Sequence, residues 1–180
     1  MAGLLGAVLR CASVLPGMGR ELDVIKNARL ELTPSSQTVS KDGVIEVTAI
    51  LRNVGKRPLW VNERMLVNTV HSPRYMRELW LDLTGPDGGT VDFECKVRAG
   101  AASARNYRVL SPGARRRIKL KLDECFDFGR PGTYLIKANY QDGTIQVPAA
   151  PHAEPHFGDA LESNSIRVEV LGAKGSSPKL

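Results

Sequence analysis

VIEVTAILR, residues 44–52, alternates apolar and polar side chains and decides the fold class of this chain. Successive side chains of a β-strand point to opposite faces, so this period of two predicts a strand that buries one face only. One face would carry the apolar members and the other most of the polar ones: Ile45, Val47, Ala49 and Leu51 against Glu46, Thr48 and Arg52.

The same alternation recurs on both sides of this segment, and turn residues separate the repeats. Gly85-Pro-Asp-Gly-Gly89 is typical of a hairpin, because glycine adopts positive φ without cost. No convincing amphipathic helix interrupts the pattern. The sequence therefore predicts an all-β fold, an immunoglobulin-like antiparallel β-sandwich of about seven to nine strands. The expected strands are 28–33, 44–52, 59–62, 77–83, 90–98, 107–110, 115–122, 133–140 and 165–171.

Length and composition fit one globular domain with short extensions. The chain has 180 residues, of which 42% are apolar and 24% charged. We expect a leader or flexible segment over 1–27, the sandwich over 28–172 and a polar tail over 173–180. No apolar run is long enough for a transmembrane helix, which needs about 20 residues.

The first residues do not settle the compartment. A secretory signal has a basic region before its apolar run, whereas here no lysine or arginine precedes Ala2–Leu9 and Arg10 interrupts the run. A periplasmic or secreted location and a cytoplasmic one both stay open.

Several motifs in the second half carry a resemblance to a known family. Tyr107-Arg-Val-Leu-Ser-Pro-Gly113 is followed by Phe126-Asp-Phe128 and Pro131-Gly-Thr-Tyr134. With residues 48–59 and Leu161-Glu-Ser-Asn164, they resemble the N-terminal β-domains of aspzincin metallopeptidases, the deuterolysin and peptidyl-lysine endopeptidase group. The framework is similar, more loosely, to the intracellular proteinase inhibitors of bacilli. The resemblance implies an immunoglobulin-like fold in which the Tyr134 hydroxyl bonds nearby backbone, as a corner tyrosine does.

The chain lacks the catalytic motif of those peptidases. Their catalytic helix carries H-E-x-x-H, whose histidines bind zinc on either side of a glutamate base. The histidines here are His71, His152 and His156, and none belongs to that motif. His152 and His156 have helical spacing, but the prolines at 151 and 155 oppose a helix, so we expect no metal site there.

Three cysteines are present, and none forms a C-x-x-C pair. Cys95 and Cys125 both lie in the expected core and are candidates for one disulfide, which would leave Cys11 unpaired. Cys125 lies within an acidic segment, residues 123–127, where turn chemistry is favoured over a calcium or nucleophile site.

Charge suggests a candidate surface. The chain carries a formal net charge of +6, and one predicted strand would place four basic side chains on its outer face: Arg115, Arg117, Lys119 and Lys121. Such a strip suits an anionic polymer, or it protects an exposed sheet edge against pairing with another chain. No aromatic residues interleave it, as stacking on single-stranded nucleic acid requires, so a nucleic-acid partner is not favoured.

Two tryptophans are candidates for surface aromatics. Trp60 and Trp80 fall on the faces opposite the leucine rows of their strands and would mark a binding patch. The alternative is that both faces of these strands are covered.

The sequence therefore favours a non-catalytic accessory module without a cofactor, whose partner is a protein or a cell-surface polymer. No P-loop, G-x-G-x-x-G or G-x-S-x-G motif is present. One alternative is a proteinase inhibitor, or a peptidase-associated domain, acting through exposed loops at 64–76 or 141–163. The other is a metal-dependent hydrolase that uses His152 and His156.

Overall fold

The computed structural model describes residues 27–73, 77–97, 100, 102–141 and 160–172, and these residues are almost entirely β. Their one helical element is a 3₁₀ turn at Ala104–Asn106. The all-β prediction is thereby confirmed. The strands are β1 Ala28–Pro34, β2 Thr38–Ser40, β3 Glu46–Asn53, β4 Leu59–Asn62, β5 Leu79–Thr84, β6 Tyr107–Leu110, β7 Arg115–Lys121, β8 Gly132–Tyr140, β9 Leu161–Glu162 and β10 Ile166–Leu171.

The strands form three sheets. A three-stranded sheet has the order β1-β3-β7, and a five-stranded sheet has the order β2-β10-β8-β5 with β9 paired to β8. A two-stranded ribbon joins β4 to β6. Every strand pair is antiparallel except β2 with β10, which runs parallel, so the expectation of a wholly antiparallel arrangement is wrong at this edge.

The two larger sheets share one hydrophobic core. Alternate residues of β1 and β3 are buried, from Leu30 and Leu32 to Val47 and Leu51. They join one cluster with the buried rows of β5, β8 and β10. Burial of these aliphatic rows from water is the main term that stabilises the fold.

A polar contact ties the edge of the three-stranded sheet to the five-stranded one. The side-chain amide of Asn164 donates to the Leu32 carbonyl (3.1 Å), and its oxygen accepts the Leu32 N–H (2.8 Å). One residue earlier, the Ser163 N–H donates to the carbonyl of Ala138 in β8 (2.9 Å). Residues 163 and 164 therefore satisfy backbone groups of β1 and β8 at once, which positions the two sheets.

The strand predicted at 90–98 does not form within its described part, residues 90–97. Thr90 makes a single bridge to Thr84 and the Val91 N–H donates to the Leu83 carbonyl (3.0 Å), and beyond Val91 the chain leaves the sheet. The Glu94 N–H donates to the Cys125 carbonyl (2.9 Å), and Cys95 is bonded to Cys125. These links hold the segment against the turn after β7, although its alternation is that of a strand.

The Tyr134 hydroxyl donates to the Arg130 carbonyl (2.9 Å), which confirms the predicted backbone contact. We expect Tyr134→Phe to lower the free energy of unfolding by about 1 kcal/mol, because the carbonyl loses its donor while ring packing is kept. Urea unfolding would measure this difference. A loss of 3 kcal/mol or more would show that the hydroxyl has a role beyond this bond.

Candidate anion-binding surface

The outer face of the three-stranded sheet carries an excess of positive charge. Its side chains are the alternate residues of β1, β3 and β7 that do not enter the core. Six are cationic and two are carboxylates, which leaves a surplus of four positive charges. We call this surface the basic face, and its members are Arg29, Glu31, Thr33, Glu46, Thr48, Ile50, Arg52, Arg115, Arg117, Lys119 and Lys121.

Strand register brings three arginines into one row. Arg29 lies opposite Arg52 across β1 and β3, and Arg52 lies opposite Arg115 across β3 and β7. Directly opposed residues of antiparallel strands point to the same side of the sheet, so these three side chains are neighbours. We call this row the arginine row. The sequence predicted a basic strip along β7 that includes Arg115. Arg29 and Arg52 come to lie beside this strip only through strand register.

At the other end of the face the charges are neutralised. The Lys119 ammonium lies 3.1 Å from the Glu46 carboxylate, and Lys121 lies 3.6 Å from Glu124. The pKa of Glu46 is held below its usual range, first by the hydrogen bond from Lys119 and then by that from Ser35. These contacts give the lysines structural partners.

The arginine row has far less compensation. Arg29 lies 3.8 Å from Glu31, and no carboxylate among the described residues pairs with Arg52, Arg115 or Arg117. The Nε of Arg52 is buried and has no acceptor in the described part of the chain. Like charges placed directly opposite across strands destabilise a sheet. An anion held by this row would offset that repulsion.

The outer face of the five-stranded sheet has no comparable surplus of positive charge among the described residues. Its outer face includes Lys137 and Arg167, which are balanced by Asp82 and Glu169. Lys137 also pairs with Glu162. The positive surplus is therefore specific to the three-stranded sheet. The net positive charge of the chain is not distributed evenly between the two sheets.

The two tryptophans do not form a surface patch. Trp80 is 7% exposed, so the expectation that it lies on the surface is wrong. Its neighbours Leu79 and Leu81 are also buried, and so is Asn139, which lies opposite Trp80 on β8. Both faces of β5 are covered at this end. Trp60 is half-buried beside Val109, its partner on β6.

Cys95, Cys125 and the acidic segment around Cys125 have structural roles. Cys95 and Cys125 are joined by a disulfide, with Cα atoms 4.9 Å apart. Asp123 accepts the N–H of Ile45 (2.9 Å), and Asp127 accepts that of Gly129 (2.7 Å). Asp123 therefore links the segment after β7 to the residue before β3, and Asp127 stabilises a local turn. The described residues include no group of three His, Cys, Asp or Glu side chains that could hold a metal ion.

Four acidic side chains line a 260 Å³ cleft near Arg130 and Tyr134, and two of them, Asp87 and Asp127, have hydrogen-bond partners nearby. The carboxylate of Asp87 pairs with Arg130, and the pKa of Asp87 is lowered, first by its hydrogen bond from the Gly89 N–H. Asp127 is engaged by Gly129, as described above. A general acid at neutral pH requires a raised pKa, so Asp87 does not have the properties of one.

The loop after β4 is anchored by an ion pair that the sequence did not predict. Glu78 is 1% exposed and accepts hydrogen bonds from Arg64 Nε (2.8 Å) and from the Leu66 N–H (2.8 Å). The hydrogen bond to Glu78 raises the pKa of Arg64. The candidate inhibitory loop at 64–76 is therefore held at its base, although residues 74–76 lie outside the described residues. Most of the other candidate loop, 141–163, also lies outside them.

Other predictions fall on parts of the chain that the structure does not describe. They are the segment before residue 27 with Cys11, the histidines His152 and His156, and the tail at 173–180. None of the described residues lies in a helix that is long and apolar enough to cross a membrane.

Comparison with known proteins identifies no family. No family model matches the chain, and no curated protein does. A solved β-glucosidase from Listeria innocua, in complex with glucose, aligns at 10% identity over 81% of this chain and 16% of its own, with a TM-score of 0.34. The Pseudomonas fluorescens alkylpurine DNA glycosylase AlkC, bound to DNA containing an abasic site analog, aligns at 12% identity over 87% of this chain and 36% of its own, with a TM-score of 0.33.

A third structure is AvmM, which catalyses macrocyclization in alchivemycin A biosynthesis. It aligns at 13% identity over 85% of this chain and 93% of its own, with a TM-score of 0.36. The chain thus spans 16% of the length of the β-glucosidase and 36% of that of the DNA glycosylase. Likenesses this distant support no inference about activity.

Proposed function

We propose that this chain is a non-catalytic, immunoglobulin-like β-sandwich module that binds an anionic polymer of the cell surface through the basic face. The surplus of four positive charges on one exposed sheet carries the proposal. Clustered charge of one sign raises the local concentration of oppositely charged partners.

Packing of the two larger sheets supports the sandwich. The buried rows of both enter one cluster, as the facing sheets of a sandwich do. The Tyr134 hydroxyl bonds a backbone carbonyl four residues upstream, which is the contact of a corner tyrosine. Together with the turn motifs, these features are consistent with the resemblance to non-catalytic aspzincin domains.

Protection of a sheet edge accounts for only part of the charge. β7 is an edge strand, and basic residues there discourage pairing with other chains. Arg52, however, lies on β3, the central strand, which has no edge to protect. Binding explains the charge on all three strands, whereas edge protection explains that on the edges.

A cell-surface polymer fits this surface better than nucleic acid does. The basic face is a sheet surface without a helix to enter a major groove. It also has no aromatic side chain on which bases would stack. The disulfide between Cys95 and Cys125 favours an oxidising compartment, where such polymers are found.

Charge reversal on the basic face tests this proposal. We expect Arg117→Glu with Lys121→Glu to weaken binding to dextran sulfate by about tenfold or more, because two attractive contacts become repulsive. Fluorescence anisotropy at several salt concentrations would measure the affinity, which is expected to fall as salt rises. The matched control is Arg167→Glu with Lys137→Glu on the five-stranded sheet, which should bind like the unmodified protein.

Three results would contradict the proposal. The first is equal loss in both double variants, and the second is binding to neutral dextran as tight as that to dextran sulfate. The third is tighter binding to single-stranded or duplex DNA at equal salt, which would make nucleic acid the partner. Circular dichroism would establish that each variant is folded.

A further inference from the structure

We infer that the arginine row, Arg29, Arg52 and Arg115, is a phosphate site, and that the polymer bound by the basic face carries phosphomonoester groups. The inference rests on the proposed function and names the chemistry of its ligand. It begins from the difference between the two ends of the face: the lysines have carboxylate partners, and the arginine row has almost none.

The residue type fits phosphate. A guanidinium presents a planar fork of N–H donors that matches two oxygens of a phosphate, whereas an ammonium acts as a point charge. All three members of the row are arginines, while the neutralised end carries lysines. The uncompensated charge therefore sits on the side chains best suited to bind phosphate oxygens.

The placement of the row also fits one small anion. Neighbouring strands lie about 4.8 Å apart, so Arg29 and Arg115 flank Arg52 at about that distance on either side. Arginine side chains are longer than this spacing, so all three can reach a group bound above Arg52. The row lies where β1 and β7 begin and β3 approaches its end, so the group is bound at one end of the sheet.

Charge favours a phosphomonoester among anionic groups. The three guanidinium groups of the row carry three positive charges, and in the adjacent row the charges of Glu31 and Arg117 cancel. A phosphomonoester carries about −1.5 to −2 at neutral pH and so compensates about half to two-thirds of this surplus. A carboxylate or a sulfate ester carries a single negative charge and would compensate only about a third of it.

A phosphomonoester ligand predicts that binding depends on pH, because the ligand itself titrates. The second phosphate pKa is about 6, so the group loses one negative charge as the pH falls through that value. The charged groups that face the row are Arg29 and Glu31 from β1, Arg52 from β3, and Arg115 and Arg117 from β7. A sulfate ester keeps its charge over the same range.

Two polymers of equal substitution separate the ligand classes. With the full chain, we expect affinity for dextran phosphate to fall severalfold between pH 7.5 and pH 5.5, because the phosphate becomes a monoanion. The affinity for dextran sulfate should change much less. An equal change for both polymers would overturn the assignment to phosphate.

Variants of the row locate the site. Arg52→Gln should weaken binding of dextran phosphate by about tenfold at pH 7.5, through loss of charge-assisted hydrogen bonds, and should flatten its pH dependence. Arg115→Gln, at an exposed position of the same row, should do the same and serves if Arg52→Gln folds poorly. Arg117→Gln is the matched control one row along the face, and it should weaken both polymers equally and keep the pH dependence.

The outcomes distinguish this inference from the proposed function. If Arg52→Gln, Arg115→Gln and Arg117→Gln weaken both polymers to the same extent, the arginine row is not a phosphate site, although the basic face still binds polyanions. If the unmodified protein binds neither polymer, the proposed function and this inference both fail. A melting temperature of Arg115→Gln above that of the unmodified protein would agree with relief of repulsion in the unliganded row.

Discussion

Replacing Arg64 with methionine is expected to lower the free energy of unfolding by about 3–5 kcal/mol, because it leaves a buried carboxylate without its counter-ion. Glu78 is 1% exposed, and the guanidinium of Arg64 is its partner through two nitrogens. The Glu78 carboxylate is shielded from water in the folded protein, so it depends on the guanidinium and on the Leu66 N–H for its hydrogen bonds. Removing one member of a buried pair costs much more than the pair itself contributes.

A second substitution isolates the cause of that loss. Arg64→Met combined with Glu78→Gln removes the buried charge but keeps a side-chain oxygen to accept the Leu66 N–H. The double variant should therefore recover more than half of the lost stability in urea unfolding. If Arg64→Met alone unfolds within 1 kcal/mol of the unmodified protein, the ion pair has no such role.

The strands that the sequence predicts well are those in which one face is buried and the other is exposed. β1 and β3 alternate because each buries a single row against the core, and their bounds agree with the sequence within two residues. β2 and β9 were missed because two or three residues are too few to show a period. At residues 90–97 the error is the reverse, because a strand was predicted and does not form. The disulfide and the backbone bond from Glu94 to Cys125 hold this segment away from the sheet in spite of its alternating pattern.

The candidate site was predictable along one strand and not across strands. Arg115, Arg117 and their lysine companions are visible in the sequence, because one strand contains them. Arg29 and Arg52 are 23 positions apart in the sequence, and nothing local indicates that they face each other. Register depends on which residues of two strands pack together, which is a property of the tertiary structure. The Arg64–Glu78 pair was missed for the same reason, since it links an irregular loop to the start of β5.

Loss of the disulfide is expected to destabilise the protein by about 3–4 kcal/mol, because the bond closes a loop of this length in the unfolded chain. Cys95 and Cys125 are 30 positions apart, and the bond fastens a segment that has few other backbone contacts. The rings of Phe93 and Phe126, with centroids 5.4 Å apart, lie beside it. Cys95→Ala with Cys125→Ala should therefore weaken this contact as well as global stability.

Urea unfolding of the double alanine variant, and of the unmodified protein with and without a reductant, measures the effect. The variant and the reduced protein should unfold at the same lower urea concentration, because both lack the cross-link. Hydrogen exchange should speed up at the Glu94 amide, whose bond to the Cys125 carbonyl depends on the link, and also at the Ala49 amide in the core of β3, which exchanges through global unfolding. Equal urea midpoints with and without the bond would mean that packing around Phe93 holds the segment by itself, and would contradict the predicted loss of stability.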